Sequence, residues 1–286
     1  MKTSIVSFLK SSTSTSTSLF KFKLRQIHNM RVVTVPLNED NYGYLLIDQR
    51  SNNAAIVDVS SQPQKMLEVV AREGVNLVKV LTTHKHWDHA GGNNEIKKIH
   101  PDIEIVGSVI DNVEACTKFV EDGEEFMLSD IKIKCLLTNG HTNGHISYHA
   151  TAPDNESIVF TGDCLFIGGC GRFFEGSNVD MLNSMKKIEA LGDATKIYCG
   201  HEYTTNNYKW ISSIDKSNIK LNEMIILVNQ QREQGLPSIP STVGREKLTN
   251  PFMRYNDPAM NDLCKGCNSD PAAIIQYLRN SKNKFK

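Results

Sequence analysis

Leu77-Val78-Lys79-Val80-Leu81-Thr82-Thr83-His84-Lys85-His86-Trp87-Asp88-His89 decides how this chain is read. Leu77 to Thr82 is apolar and β-branched enough to form a strand, and it runs straight into three imidazoles and a carboxylate within residues 84–89. Ligands so dense are rare by chance. Residues two apart on extended backbone point to the same side, so His84 and His86 can grip one cation. Beyond the turn, Asp88 and His89 are offset and available to another. Zinc takes about four nitrogen, oxygen or sulfur donors, and a catalytic site leaves one position open for water. The stretch alone supplies too few donors, so others must come from elsewhere.

Upstream, Val32 to Val35, Tyr44 to Asp48 and Ala54 to Val59 read as short strands. A helix follows, capped by Ser60 or Ser61, with Pro63 in its first turn and Gly74 at its end. Downstream come a helix near Asn93 to His100, stopped by Pro101, and strands at Ile103 to Val106, Ile131 to Leu137, His145 to Ala150 and Ser157 to Thr161. A helix at Val179 to Leu191 precedes a strand at Lys196 to Cys199. This alternation predicts an α/β fold with helices covering sheet faces.

Three of these strands run into an unpaired donor: His141 after Leu137, Asp163 after Thr161, and His201 after Cys199. All three belong at one edge of the sheet. Singly, each is an ordinary polar histidine or turn aspartate; beside the cluster they are candidates to complete its shell. His145 is read either as a hydrogen-bonding partner in the site or as a structural residue.

Beyond His201 the pattern turns helical, with candidate helices at Ile219 to Gln234 and Pro271 to Asn280. The expected division is a segment at 1–29, a catalytic domain at 30–203 and a helical domain at 204–286, the boundary falling near Tyr203. A length of 286 residues suits two packed units. With 32 Lys plus Arg against 32 Asp plus Glu, no global field argues for nucleic acid or an anionic membrane. No run approaches the roughly 18 apolar residues of a membrane span. The seven cysteines do not form a dense paired framework, and Cys264 and Cys267 read as structural thiols.

Residues 1–30 contain five basic residues (Lys2, Lys10, Lys21, Lys23, Arg25), a serine and threonine tract, and no acidic residue. That is the composition of a mitochondrial transit peptide, with a shorter cytosolic form expected if synthesis starts at Met30.

Taken with Gly168-Gly169-Cys170-Gly171-Arg172-Phe173-Phe174-Glu175-Gly176, Gly200-His201-Glu202-Tyr203-Thr204, Asn250-Pro251-Phe252-Met253-Arg254 and Leu278-Arg279-Asn280-Ser281-Lys282, the chain from about Met30 onward resembles the hydroxyacylglutathione hydrolases, or glyoxalase II. These belong to the metallo-β-lactamase fold. The resemblance implies an αββα sandwich with a smaller C-terminal helical domain. It implies two divalent ions, zinc above iron or manganese: one on His84, His86 and His141, a second on Asp88, His89 and His201, with Asp163 bridging both and a bridging hydroxide as nucleophile. It further implies hydrolysis of S-D-lactoylglutathione to glutathione and D-lactate, the second step of methylglyoxal detoxification, by a chain expected to be a monomer. Arg172, Phe174, Tyr203, Arg279 and Lys282 would bind the glutathione part.

This chain departs from the family pattern at Arg172, where Lys is frequent; at Phe174, where Tyr is frequent; at Asn139, where Pro is common; and at Asn283, where Asp is frequent. Competing readings are a mononuclear-iron persulfide dioxygenase of the same fold, a metal-dependent ribonuclease, disfavoured by the balanced charge, and a non-catalytic metal-binding module.

Overall fold

The computed structural model describes residues 29–264 and 266–285; the targeting-type segment read at 1–29 lies outside them except for Asn29. Two six-stranded sheets form the body. The first contains β1 (Met30–Leu37), β2 (Asn41–Asp48), β3 (Asn53–Val57), β4 (Asn76–Leu81), β5 (Glu104–Ser108) and β6 (Lys118–Val120), in that order. The second contains β7 (Glu125–Leu128), β8 (Ile131–Leu137), β9 (Ile146–Thr151) and β10 (Ser157–Gly162). A small hairpin follows, β11 (Leu165–Phe166) with β12 (Gly169–Cys170), and then β13 (Lys196–Cys199) and β14 (Ser241–Thr242) return to the second sheet, whose order is β14-β13-β10-β9-β8-β7.

Alternation along the strands of the first sheet sorts their side chains between two cores. Leu45, Ile47, Ile56 and Val80 point outward against Met66 of helix α1 (Pro63–Glu73) and Ile96 of α3 (Asn93–Ile99), the short α2 (Trp87–Ala90) lying between. Their neighbours Tyr44, Leu46, Val57 and Leu81 point inward against Ile133, Cys135, Tyr148 and Phe160 of the second sheet. This period of two is what a sheet covered on both faces requires. Helix α4 (Asn178–Glu189) supplies Met181, Met185 and Ile188 to the same large cluster, which closes the αββα sandwich.

The rest of the chain is helical: α5 (Thr204–Ile214), α6 (Ile219–Glu233), α7 (Val243–Thr249), α8 (Pro258–Leu263) and α9 (Pro271–Lys284). It does not stand apart from the sandwich. Between α6 and α7, β14 pairs antiparallel with β13 at Lys196↔Thr242 and Ile197↔Ser241. Trp210, Phe252, Ile274 and Leu278 join the cluster that fills the space between the sheets.

Several sequence expectations require adjustment. Neither Ser60 nor Ser61 caps α1; Gln62 occupies the cap position, with no side-chain hydrogen bond. Helix α4 begins one residue early, at Asn178, because Ser177 and Asp180 close a reciprocal capping box. The last helix runs on to Lys284. The two-residue strands are too short for alternation to reveal, and α5, written Thr-Thr-Asn-Asn at its start, is made of weak helix formers.

Candidate metal centre and adjoining cavity

The donor-bearing turns all leave the carboxyl ends of strands. β4 leads into His84 and His86, β8 into His141, β10 into Asp163 and β13 into His201. At Trp87 the chain enters α2, and this change from extended to helical backbone at His86 swings Asp88 and His89 away from the first pair. Three overlapping donor groups result: His84, His86 and His141; His84, His89 and Asp163; and Asp88, His89 and His201, the donors of each lying within 4.8 Å of one another.

In the first group, His86 Nδ1 stands 3.0 Å from both His84 Nε2 and His141 Nε2. In the last, the Nε2 atoms of His89 and His201 are 3.3 Å apart, and Asp88 Oδ2 lies 3.6 and 3.4 Å from them. Asp163 stands between the groups: Oδ1 is 3.3 Å from each of those Nε2 atoms, and Oδ2 is 3.4 Å from His141 Nε2. Donors on a tetrahedral ion with bonds of about 2.0 Å are about 3.3 Å apart, so this spacing fits a cation at each end.

The outward ring nitrogens are already held. His89 Nδ1 meets Asp58 Oδ2 at 2.8 Å, His201 Nδ1 meets Asp40 Oδ1 at 2.8 Å, and His141 Nδ1 donates to the Arg172 carbonyl at 3.0 Å. With the proton on Nδ1, each Nε2 presents a lone pair inward. Asp163 Oδ1 is buried there with no hydrogen-bond donor. Converging lone pairs and a buried carboxylate demand positive charge.

The protonation tendencies express the same demand. Burial, with the neighbouring His89, holds His84 well below the usual imidazole range, and burial also lowers His141. Burial opposes the charged form of His89 and His201 as well, but Asp163, joined by Asp58 at His89 and by Asp40 at His201, raises both. Burial would raise Asp163; His89 and His201 hold it well below the usual carboxylate range.

His145 is fully buried, stacks on His84 at 5.1 Å between ring centres, and its Nε2 accepts from the Asp163 backbone N–H at 3.1 Å. It therefore orients the turn that presents the shared carboxylate. Gly200 leaves room for that carboxylate, since a Cβ there would fall 2.5 Å from Asp163 Oδ1. Sequence reasoning missed Asp40, Asn41 and Asp58. Asn41 Nδ2 donates to Asp88 Oδ2 at 3.1 Å, and Asp58 also accepts from the N–H and hydroxyl of Thr83, each at 2.8 Å. Asp58 directly follows the end of β3 at Val57, but the strand expected from the sequence runs on to Val59 and so hid it.

A cavity of about 440 Å³ opens beside His141 and Asp163, and its lining includes Arg172, Phe174, Tyr203, Arg279 and Lys282. Phe174 lies 5.2 Å from the His141 ring, and Tyr203 stacks on His201 at 4.7 Å. Arg279 donates to the Cys170 carbonyl at 2.8 Å and to Asn283 Oδ1 at 3.0 Å. Lys282 donates to Asn206 Oδ1 at 2.6 Å. Burial, then the adjacent Arg279, push the Lys282 ammonium down to about 8. Among the described residues no carboxylate pairs with Arg172, Arg279 or Lys282, so the cavity wall carries positive charge that no ion pair offsets. Asn206, Asn207, Asn283 and Phe285 also line it and were not anticipated.

The fold and donor set define a metallo-β-lactamase superfamily protein, and the family pattern described as "Metallo-beta-lactamase superfamily" matches residues 42–201. ETHE1 from Myxococcus xanthus has a similar fold, with a TM-score of 0.64 at 23% identity over 88% of this chain and 91% of that one. TTHA1623, solved in a di-iron-bound form, matches with a TM-score of 0.55 at 20% identity over 77% of this chain and 99% of that one. Residues 202–285 match the pattern "Hydroxyacylglutathione hydrolase C-terminus". The cytoplasmic hydroxyacylglutathione hydrolase of Arabidopsis thaliana is 42% identical over 90% of this chain and its own full length, and the Synechocystis enzyme is 37% identical over the same shares. The chain belongs to the hydroxyacylglutathione hydrolase family.

Proposed function

We propose that this chain hydrolyses the thioester of S-D-lactoylglutathione and related 2-hydroxyacylglutathiones, releasing glutathione and the 2-hydroxy acid. The observation that carries the reading is the cavity with three uncompensated cations opening onto the donor cluster. Glutathione brings two carboxylates and a sulfur whose thioester must reach that cluster. Relatives named for this activity support the same reading along their full length.

His84, His86 and His141 would hold one divalent ion and Asp88, His89 and His201 a second, with an Asp163 oxygen turned to each. When bound, such ions supply Lewis acidity, lowering the pKa of water from 15.7 to about 7 and polarising a carbonyl. Zinc is the ion assigned, since nitrogen-rich, four-donor geometry suits it. The chain does the rest. Arg279, Lys282 and Arg172 hold the two carboxylates, while Phe174 and Tyr203 flank the path to the metal ligands. The departing thiolate belongs to a thiol of pKa about 8.5, so no strong general acid is needed.

The test pairs metal analysis with an S-D-lactoylglutathione assay. Two equivalents of metal and release of D-lactate are expected; one equivalent of iron with oxygen consumption would establish the dioxygenase reading instead.

Lys282 gives a pH signature. Its ammonium is charged below about 8 and neutral above, so kcat/KM for the anionic thioester should fall as pH rises from 7 to 9.5. Lys282→Arg should flatten that limb. A native profile already flat there would remove Lys282 from binding.

The basic, acid-free composition of 1–29 supports mitochondrial import, with a second form starting at Met30 left in the cytosol. Imaging full-length and Met30-start chains should separate them, and identical diffuse staining would refute the assignment.

A further inference from the structure

Asp111 is a buried carboxylate, 4% exposed, in the turn after β5, outside all three donor groups. Oδ2 accepts from the Lys85 backbone N–H at 3.2 Å and from the Thr142 hydroxyl at 2.7 Å, and Oδ1 accepts from the Gly144 N–H at 2.8 Å. Lys85 sits between His84 and His86, and Thr142 directly follows His141. One side chain from a third loop therefore grips both of the loops that carry the three-histidine group. The close approach also accounts for a glycine. A Cβ at Gly144 would fall 2.4 Å from the Asp111 backbone N and 2.6 Å from its Oδ1.

Glu175 ties the same loops nearer solvent, through Lys85 Nζ at 2.7 Å and the Asn143 N–H at 2.9 Å. A partly exposed ion pair of that kind contributes little. The buried carboxylate, with three donors and little exposure to water, is the stiffer link.

We propose that Asp111 is a positioning residue for the metal centre: it fixes the loop bearing His84 and His86 against the loop bearing His141, so that these three imidazoles stand assembled before a divalent ion arrives. The proposal rests on the metal-centre reading above. Without the strut, the ion itself must order two loops, and the free energy of ordering is subtracted from its affinity.

The experiment is a zinc titration of metal-stripped full-length chain against a chromophoric chelator, with native protein, Asp111→Asn, Thr142→Val and Thr142→Ser compared. Asparagine keeps the shape but turns an N–H₂ toward donors; valine removes one of the three bonds; serine keeps the hydroxyl. In Asp111→Asn, one of two zinc equivalents is expected to weaken about 10- to 100-fold, the range typical of partners to metal ligands, while the other is unchanged. Thr142→Val should fall between that and native, Thr142→Ser should match native, and thioester KM should not move while kcat drops. Undiminished binding of both equivalents in Asp111→Asn, equal weakening of both, or the same loss in Thr142→Ser would overturn the strut. A native chain that takes up no zinc would overturn the metal centre itself, a distinguishable result. Thermal melting of the metal-free variants shows that each remains folded.

Discussion

Asp163→Ala is expected to lower kcat on S-D-lactoylglutathione by on the order of 10³ or more, which is roughly 4 kcal/mol of lost barrier reduction, and to leave fewer than two equivalents of metal on the chain. Among the described donors Asp163 stands between the two ends of the set. Oδ1 faces His89 and His201, and Oδ2 faces His141, so one deletion removes a donor from each cation position and the single negative charge shared between them. The loss cannot be made up by water alone, because the slot is buried and burial holds His84 and His141 below the usual imidazole range, so neither brings charge of its own. Asp163→Asn, which keeps one oxygen donor, should retain more metal than alanine does. Near-native turnover with two metal equivalents in Asp163→Ala would show that the carboxylate is not shared.

How much of this was written in the sequence depends on how far apart the interacting residues lie. Residues 84–89 were legible because six neighbours carry four donors, and His141, Asp163 and His201 because each follows a recognisable strand end. The strands around Leu45 and Val80 were readable as short apolar, β-branched runs, because side chains on both of their faces meet a core. What was not legible is contact across many residues with no local pattern. Asp40 reaches His201, Asn41 reaches Asp88, and Asp111 reaches Thr142, none through a motif of its own. The pairing of β14 with β13, which fastens the helical part onto the sandwich, rests on two residues, Ser241 and Thr242, that look like ordinary loop.

Arg279→Ala should raise KM for the thioester about 10- to 100-fold, the loss of one charge-assisted interaction of roughly 1.5 to 3 kcal/mol, with kcat changed far less. Arg279 lies on α9, nine-tenths buried, and spends two donors on the Cys170 carbonyl and Asn283 Oδ1. Those bonds aim the guanidinium, and the Cys170 contact ties α9 to the loop bearing Arg172. A buried guanidinium with no carboxylate partner is costly to the fold on its own; a substrate carboxylate offsets that cost when it binds. Its distance in role from the metal ligands is what separates KM from kcat, because an interaction formed equally in the bound substrate and the transition state affects only KM. Arg279→Lys, which keeps the charge but not the paired geometry, should restore part of the affinity. An unchanged KM in Arg279→Ala, with the protein folded and both metals bound, would remove Arg279 from substrate binding and leave the glutathione carboxylates to Arg172 and Lys282.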